Sequence, residues 1–230
     1  MEIKGLQKLT LLDFPERVAC TVFTAGCNFR CPFCHNATLV LAPGEGDSVS
    51  EEEFFSFLKK RTGVLTGVCV TGGEPTLQKD LLSFLQKIKD LGFAVKLDTN
   101  GYRPEVLCAA VERGLVDYVA MDVKNAPSRY GETVGIANFD IAPVRQSVEF
   151  LLKNVVPYEF RTTVVKQLHG QEEAKELASF IAGAEKLYLQ AFIDSGNLIG
   201  SGLSAMPKED MQKMAFLLEK TVKKVELRGV

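Results

Sequence analysis

Cys27, Cys31 and Cys34 gather three of the six cysteines of this chain into eight residues, in the spacing C-x3-C-x2-C. Thiolates are soft ligands suited to iron–sulfur clusters and zinc. Three of them on one short loop can hold an iron–sulfur cluster and leave one iron without a protein ligand. An open metal position is where a substrate or cofactor binds, by the logic that separates catalytic from structural metal sites. The other cysteines, Cys20, Cys69 and Cys108, are scattered among apolar neighbours and read as small core residues.

Further polar groups follow short apolar runs. They are Thr71-Gly72-Gly73-Glu74-Pro75, Asp98-Thr99-Asn100-Gly101 and Asp122-Val123-Lys124. Arg161, Thr162 and Thr163 lie within a later apolar run, and Gln190 stands near the end of the next. Each of these alone would serve as a turn or a helix cap, and Asp-Thr-Asn-Gly is good turn chemistry. In parallel α/β folds, however, chemistry collects at the C-terminal ends of the strands. A shared position on one rim is harder to ascribe to turns than any single member is.

The elements that must position these groups alternate along the chain. Gly5 to Gly26 reads as two extended runs around the turn cluster Asp13–Arg17, the second being the β-branched Val18–Phe23 that ends at the cysteine loop. Leu41–Asp47 reads as a linker-like loop. Ser50 and Glu53 then form a capping box for a helix over 51–61. Strands are predicted at Val68–Val70, Phe93–Leu97, Asp117–Met121, Phe160–Val165 and Leu187–Phe192, with a short closing strand at Val225–Arg228. Helices are predicted over 78–91, 104–113, 140–153, 171–183 and 207–220, and 124–138 reads as irregular. Strand-then-helix repetition implies parallel strands joined by right-handed crossovers. Six such units fall two short of an eightfold barrel, which favours an incomplete barrel within one domain.

Composition narrows the function. A formal net charge of −2 gives no basic footprint for nucleic acid. No run approaches ~18 consecutive apolar residues, and the first residues lead into no signal-peptide core, so neither membrane nor export is expected. The expected location is cytoplasmic, where clustered cysteines favour metal or redox chemistry over disulfides.

With the cysteine motif and Gly72-Gly73-Glu74-Pro75 in these places, the chain resembles the radical S-adenosylmethionine (SAM) superfamily over nearly its whole length. The resemblance implies an α/β fold: a single-domain partial (β/α)6 barrel over residues 1–230, with residues 1–15 and 194–230 as extensions. It implies a 4Fe–4S cluster on Cys27, Cys31 and Cys34, with the amino and carboxylate groups of SAM on the fourth iron. Gly72 and Gly73 would let the backbone approach the methionyl ammonium, with the charge of Glu74 nearby. Phe33 would lie beside the adenine, and Lys124 and Arg161 would meet the carboxylate or ribose. Thr163 completes the expected contacts.

Arg30–Asn36, Leu97–Gly101 and Met121–Lys124 are similar to the glycyl-radical-enzyme activases. In that group Asp98, Thr99 and Asp122 would also hold a monovalent cation beside SAM. The opening Leu9–Gly26 most resembles activating proteins of anaerobic ribonucleoside-triphosphate reductase. The implied partners are therefore that glycyl-radical enzyme and, as reductant, flavodoxin or ferredoxin. One departure is Ile193, where pyruvate formate-lyase activases carry a SAM-contacting histidine; Gln190 is the candidate to serve instead. His35 reads as structural and His169 as a surface residue. The loops 127–138 and 194–205 are candidates for docking a partner. Two rival readings are a radical SAM enzyme acting on a small molecule, such as a 7-carboxy-7-deazaguanine synthase, and a non-catalytic zinc or iron–sulfur module.

Overall fold

The structure, a computed structural model, describes residues 1–230. Eight strands form one sheet in sequence order: β1 (Ile3–Thr10), β2 (Ala19–Thr24), β3 (Gly67–Gly72), β4 (Ala94–Thr99), β5 (Tyr118–Asp122), β6 (Tyr158–Val164), β7 (Leu187–Ala191) and β8 (Val225–Arg228). The first pair, β1 with β2, is antiparallel, while β2–β3–β4 and β6–β7–β8 are parallel. The α/β class and mostly parallel sheet are those expected. The helices are α1 (Ala37–Leu41), α2 (Glu51–Lys59), α3 (Leu81–Asp90), α4 (Pro104–Glu112), α5 (Tyr130–Val134), α6 (Ala142–Leu151), α7 (Gln171–Phe180) and α8 (Lys208–Leu218). No helix is long and apolar enough to cross a membrane.

By their internal contacts the residues group into two compact units. The first comprises residues 1–28, 38–99 and 105–119. Here Ser50 Oγ accepts the Glu53 amide at 3.1 Å and starts α2, as the sequence predicted. Phe54 and Phe55 of α2 pack on Phe84 of α3, with ring centroids 5.3 Å apart in each case. Leu81, Phe84, Leu85 and Ile88 fall on one buried face of α3. Asp117 receives Lys89 Nζ at 2.7 Å and the Val95 amide at 2.7 Å, which anchors the chain as it enters β5.

The second unit comprises residues 29–37, 100–104 and 120–230. Val144, Val148 and Leu151 of α6 are buried, as are Ala174 and Leu177 of α7 and Met211, Met214 and Leu218 of α8, which packs on α7. Residues 124–138, predicted irregular, instead contain a 3-10 turn at Pro127–Arg129 and the helix α5. Gly135 ends α5 with φ 69°, a left-handed cap that glycine adopts without strain. The helix α1 was also unforeseen. Both are five residues long, too short to show a helical period in the sequence.

Candidate functional site

In the first unit, β2 delivers Thr24, Ala25, Gly26 and Cys27, and β3 delivers Gly72, Gly73 and Glu74 beside them. The Gly73 amide donates to the Thr24 carbonyl at 2.9 Å, the Glu74 amide to the Gly26 carbonyl at 2.7 Å, and Gln78 Nε2 to the Ala25 carbonyl at 2.8 Å. A Cβ on Gly72, whose φ is 117°, would stand 2.3 Å from the Thr24 nitrogen, and one on Gly73 would stand 1.9 Å from the Gly26 oxygen. The two glycines are thus required by the chain's own cysteine loop, a reason the sequence reading had not supplied.

Glu74 is buried and caps the 3-10 turn Pro75–Leu77. Its Oε1 accepts from the Thr76 amide at 3.1 Å, from Thr76 Oγ1 at 2.5 Å and from Thr99 Oγ1 at 2.7 Å. These donors fix the carboxylate's orientation. On β4, Asp98 Oδ1 is bonded to the ammonium of Lys96 and lies 3.7 Å from the sulfur of Cys69. Lys96 was not singled out in the sequence. The available signal was a lone lysine inside an otherwise apolar strand that parallel pairing buries on both faces.

In the second unit, the Cys34 amide donates to the Cys31 carbonyl at 3.0 Å, a turn that keeps these two cysteines together. The segments on either side are clamped. The Arg30 amide donates to Val134 O at 2.8 Å, and the Gly200 amide donates to Pro32 O at 2.8 Å. A side chain at Gly135 would meet Arg30 O at 2.5 Å, and one at Gly200 would meet Pro32 Cβ at 2.5 Å. The loops expected to dock a partner therefore hold the cysteine segment. Phe29 packs edge-on against Tyr102 and Phe139, while Phe33 is buried and His35 is exposed, edge-on to Phe192.

Asp122 at the end of β5 accepts Arg161 Nε at 2.9 Å on one oxygen and Lys124 Nζ at 2.8 Å on the other. Burial alone would raise the carboxyl, but the Arg161 and Lys124 charges overcome it and hold Asp122 well below the usual carboxylate range. Burial likewise disfavours the Lys124 ammonium. Asp122, and after it the sulfur charge of Cys31, reverse that effect and hold Lys124 above its ordinary value. Glu159, Arg161 and Thr163 alternate onto one face of β6. Thr163 is the register partner of Gln190 on β7.

One reading is corrected. His169 is not a surface residue but 2% exposed, with Nε2 2.9 Å from the Lys124 carbonyl oxygen and Nδ1 accepting the Val165 amide at 3.1 Å. It buttresses the backbone of Lys124 from behind.

By its chemistry, three thiols, the donor set suits an iron–sulfur cluster, although the structure does not gather Cys27, Cys31 and Cys34 into one metal-holding group. All six cysteines are free of disulfides, Cys27, Cys31 and Cys34 among them, and Lys124 interacts electrostatically with Cys31. Thr24 Oγ1, at the head of the cysteine loop, is buried without a hydrogen-bond partner, which suits a site completed by a bound group. The set does not suit an added monovalent cation, because Asp98 and Asp122 already carry Lys96, Lys124 and Arg161.

Comparison with known proteins agrees with this chemistry. The radical SAM superfamily pattern matches residues 21–181. A Methanocaldococcus jannaschii protein, provisionally named a glycyl-radical enzyme activating enzyme, is 33% identical over 195 residues, 83% of this chain and 79% of its own. A 7-carboxy-7-deazaguanine synthase of Koribacter versatilis is 33% identical over 148 residues, 64% of this chain and 61% of that protein. The crystal structure of a domain of pyruvate-formate lyase-activating enzyme from Bacteroides vulgatus shares the fold, with a TM-score of 0.57 at 18% identity, covering 71% of this chain and 99% of that domain. The chain therefore belongs to the radical SAM superfamily and is a radical SAM enzyme, whose family cofactors are a 4Fe–4S cluster and S-adenosylmethionine.

Proposed function

We propose that this enzyme activates a glycyl-radical enzyme, specifically an anaerobic ribonucleoside-triphosphate reductase, in the cytoplasm, with flavodoxin or ferredoxin as reductant. The observation that carries this reading is the 33% identity to the Methanocaldococcus jannaschii protein over 83% of the chain. The likeness of Leu9–Gly26 to the reductase-activating proteins supports this choice of target.

When bound, the cluster and SAM would supply one-electron radical chemistry at the cofactor's C5′–S bond, directed at a glycine of the partner. The chain's share is binding and orientation. Cys27, Cys31 and Cys34 would hold the cluster through their sulfurs, and Lys124, whose ammonium is stabilised in part by Cys31, would place positive charge beside it. Glu74, with its oxygen fixed by Thr76 and Thr99, receives the methionyl ammonium. Arg161 and Lys124, pinned on Asp122, present fixed positive charge to the carboxylate or ribose, so little reorganisation is needed on binding. Phe33, Asp98, Thr163 and Gln190 complete the contacts, with Gln190 serving where Ile193 cannot.

A second reading is a small-molecule radical SAM enzyme, favoured by the identity to the deazaguanine synthase. One experiment separates the two. The anaerobically reconstituted enzyme is reduced with dithionite in the presence of SAM, with and without the reductase. Release of 5′-deoxyadenosine, together with a glycyl-radical doublet in electron paramagnetic resonance only when the reductase is present, supports activation. 5′-Deoxyadenosine release with no doublet from this or any other glycyl-radical enzyme refutes it.

A further inference from the structure

Lys96 and Asp98 stand two residues apart on β4, so their side chains leave the strand on the same face. Lys96 is 2% exposed, on a strand whose six residues are all buried. Its ammonium is bonded to Asp98 Oδ1 and lies 3.9 Å from the sulfur of Cys69, its register partner on β3. A buried ammonium persists only when paired. The pair it makes here uses a carboxylate that the likeness to the activases would give to a monovalent cation. The other two groups of that set are engaged as well. Thr99 Oγ1 donates to Glu74, and Asp122 carries one cation on each oxygen.

We propose that the Lys96 ammonium takes the place of the monovalent cation at Asp98, so that this enzyme carries the charge covalently and binds SAM without sodium or potassium. A second cation beside Asp98 would face the ammonium across a low-dielectric interior and be repelled by it. The neighbouring thiol is a soft group, not the oxygen ligand that a hard cation prefers. A lysine kept only to bridge two strands would need no particular ion in its place if removed. A lysine that substitutes for an ion leaves a site that the ion can refill, and this difference is measurable. The inference rests on the proposed SAM site for its functional consequence; the ion pair stands apart from that reading.

The test uses the cluster-loaded enzyme in potassium, sodium or choline chloride at one ionic strength. It reads melting temperature and SAM binding by equilibrium dialysis. Wild-type enzyme should melt alike and bind SAM alike in all three salts. K96M should melt lowest in choline chloride and recover saturably with potassium or sodium. It should also bind SAM about tenfold more tightly with either small cation than with choline, the size of an ordinary coupling between two bound ligands. A wild type whose melting temperature or SAM affinity rises saturably with potassium or sodium overturns the proposal. So does a folded K96M that is indifferent to the three salts. If K96M folds in none of them, the wild-type comparison decides alone. Failure of the proposed SAM site would appear separately, as no SAM binding in any salt, while the melting series still decides the role of Lys96.

Discussion

His169 holds Lys124 from behind: its Nε2 lies 2.9 Å from the Lys124 carbonyl oxygen, while Nδ1 lies 3.1 Å from the Val165 amide nitrogen and 3.2 Å from the Val165 carbonyl oxygen. The same Lys124 places its ammonium on Asp122, so one residue is fixed at both its backbone and its side chain.

This arrangement predicts a pH effect with a definite sign. Burial pushes the His169 imidazolium down, against the smaller opposing pull of the Lys124 and Val165 carbonyls. The folded pKa thus lies below the unfolded value of about 6.5, and the unfolded chain binds the proton first as pH falls. The stability from His169 is fully present above the unfolded value and is lost as pH falls through the lower folded one. The melting temperature should drop between about pH 7 and about pH 5. H169Q should melt lower than wild type at the upper end, by about 1–2 kcal/mol of stability, and show a shallower fall. Parallel slopes for the two proteins would remove His169 from the account.

The close contact of Gly73 with the cysteine loop predicts the outcome of adding one methyl group. A Cβ there would overlap the Gly26 carbonyl oxygen at 1.9 Å, a backbone atom with no flexible side chain to swing away. Gly73→Ala should destabilise the fold by about 1–3 kcal/mol and displace the loop that begins at Cys27. Chemical denaturation and iron content after reconstitution measure both effects. A variant that melts and loads iron as wild type does would show that the two loops are not coupled in this way.

These residues also show which parts of the molecule could be read in the sequence. Cys27, Cys31, Cys34 and Gly72–Glu74 stand out in the sequence because their signal lies in local spacing. The sheet was legible because the apolar runs recur at strand length. His169 was misjudged because its partner lies 45 positions away and a loop position says nothing about burial. Lys96 passed unnoticed because strand periodicity marks where a side chain points, not what stands opposite. Its meaning appears only when register sets Cys69 beside it and Asp98 above it. The hold of the loops 127–138 and 194–205 on the cysteine segment went unread for the same reason, since their bonds to Arg30 and Pro32 are long-range.

The cysteines should divide into two classes on mutation. Cys31→Ala removes one proposed iron ligand from a turn whose backbone bond to Cys34 remains, so the variant should stay folded but hold no cluster and cleave no SAM. Cys20→Ala is the control. Its thiol is fully buried, and burial pushes its pKa up to about 12, so it remains a protonated core group. That variant should lose about 1 kcal/mol or more of stability to the small cavity and keep its cluster. Iron and sulfide analysis with melting curves tests the pair. A cluster retained at wild-type level in Cys31→Ala would refute the ligand assignment.

Asp122 should matter for stability in a way that does not vary near neutral pH. Removing its charge leaves Lys124 and Arg161 facing each other with less than a fifth of either side chain exposed. Breaking such a pair costs about 3 kcal/mol, because the remaining charges stay desolvated. Asp122→Asn should therefore be strongly destabilised, and Lys124→Met in the same chain should recover part of the loss. Because the Asp122 carboxyl is held below its ordinary range, its contribution is complete above the unfolded value of about 3.9 and is lost only as pH falls through the still lower folded value. The difference between wild type and Asp122→Asn should accordingly stay constant between about pH 5 and about pH 8. Denaturant unfolding of wild type, both single variants and the double variant closes the cycle. Strict additivity, or a difference that shrinks across that pH range, would show that Asp122 does not hold the two cations as the geometry indicates.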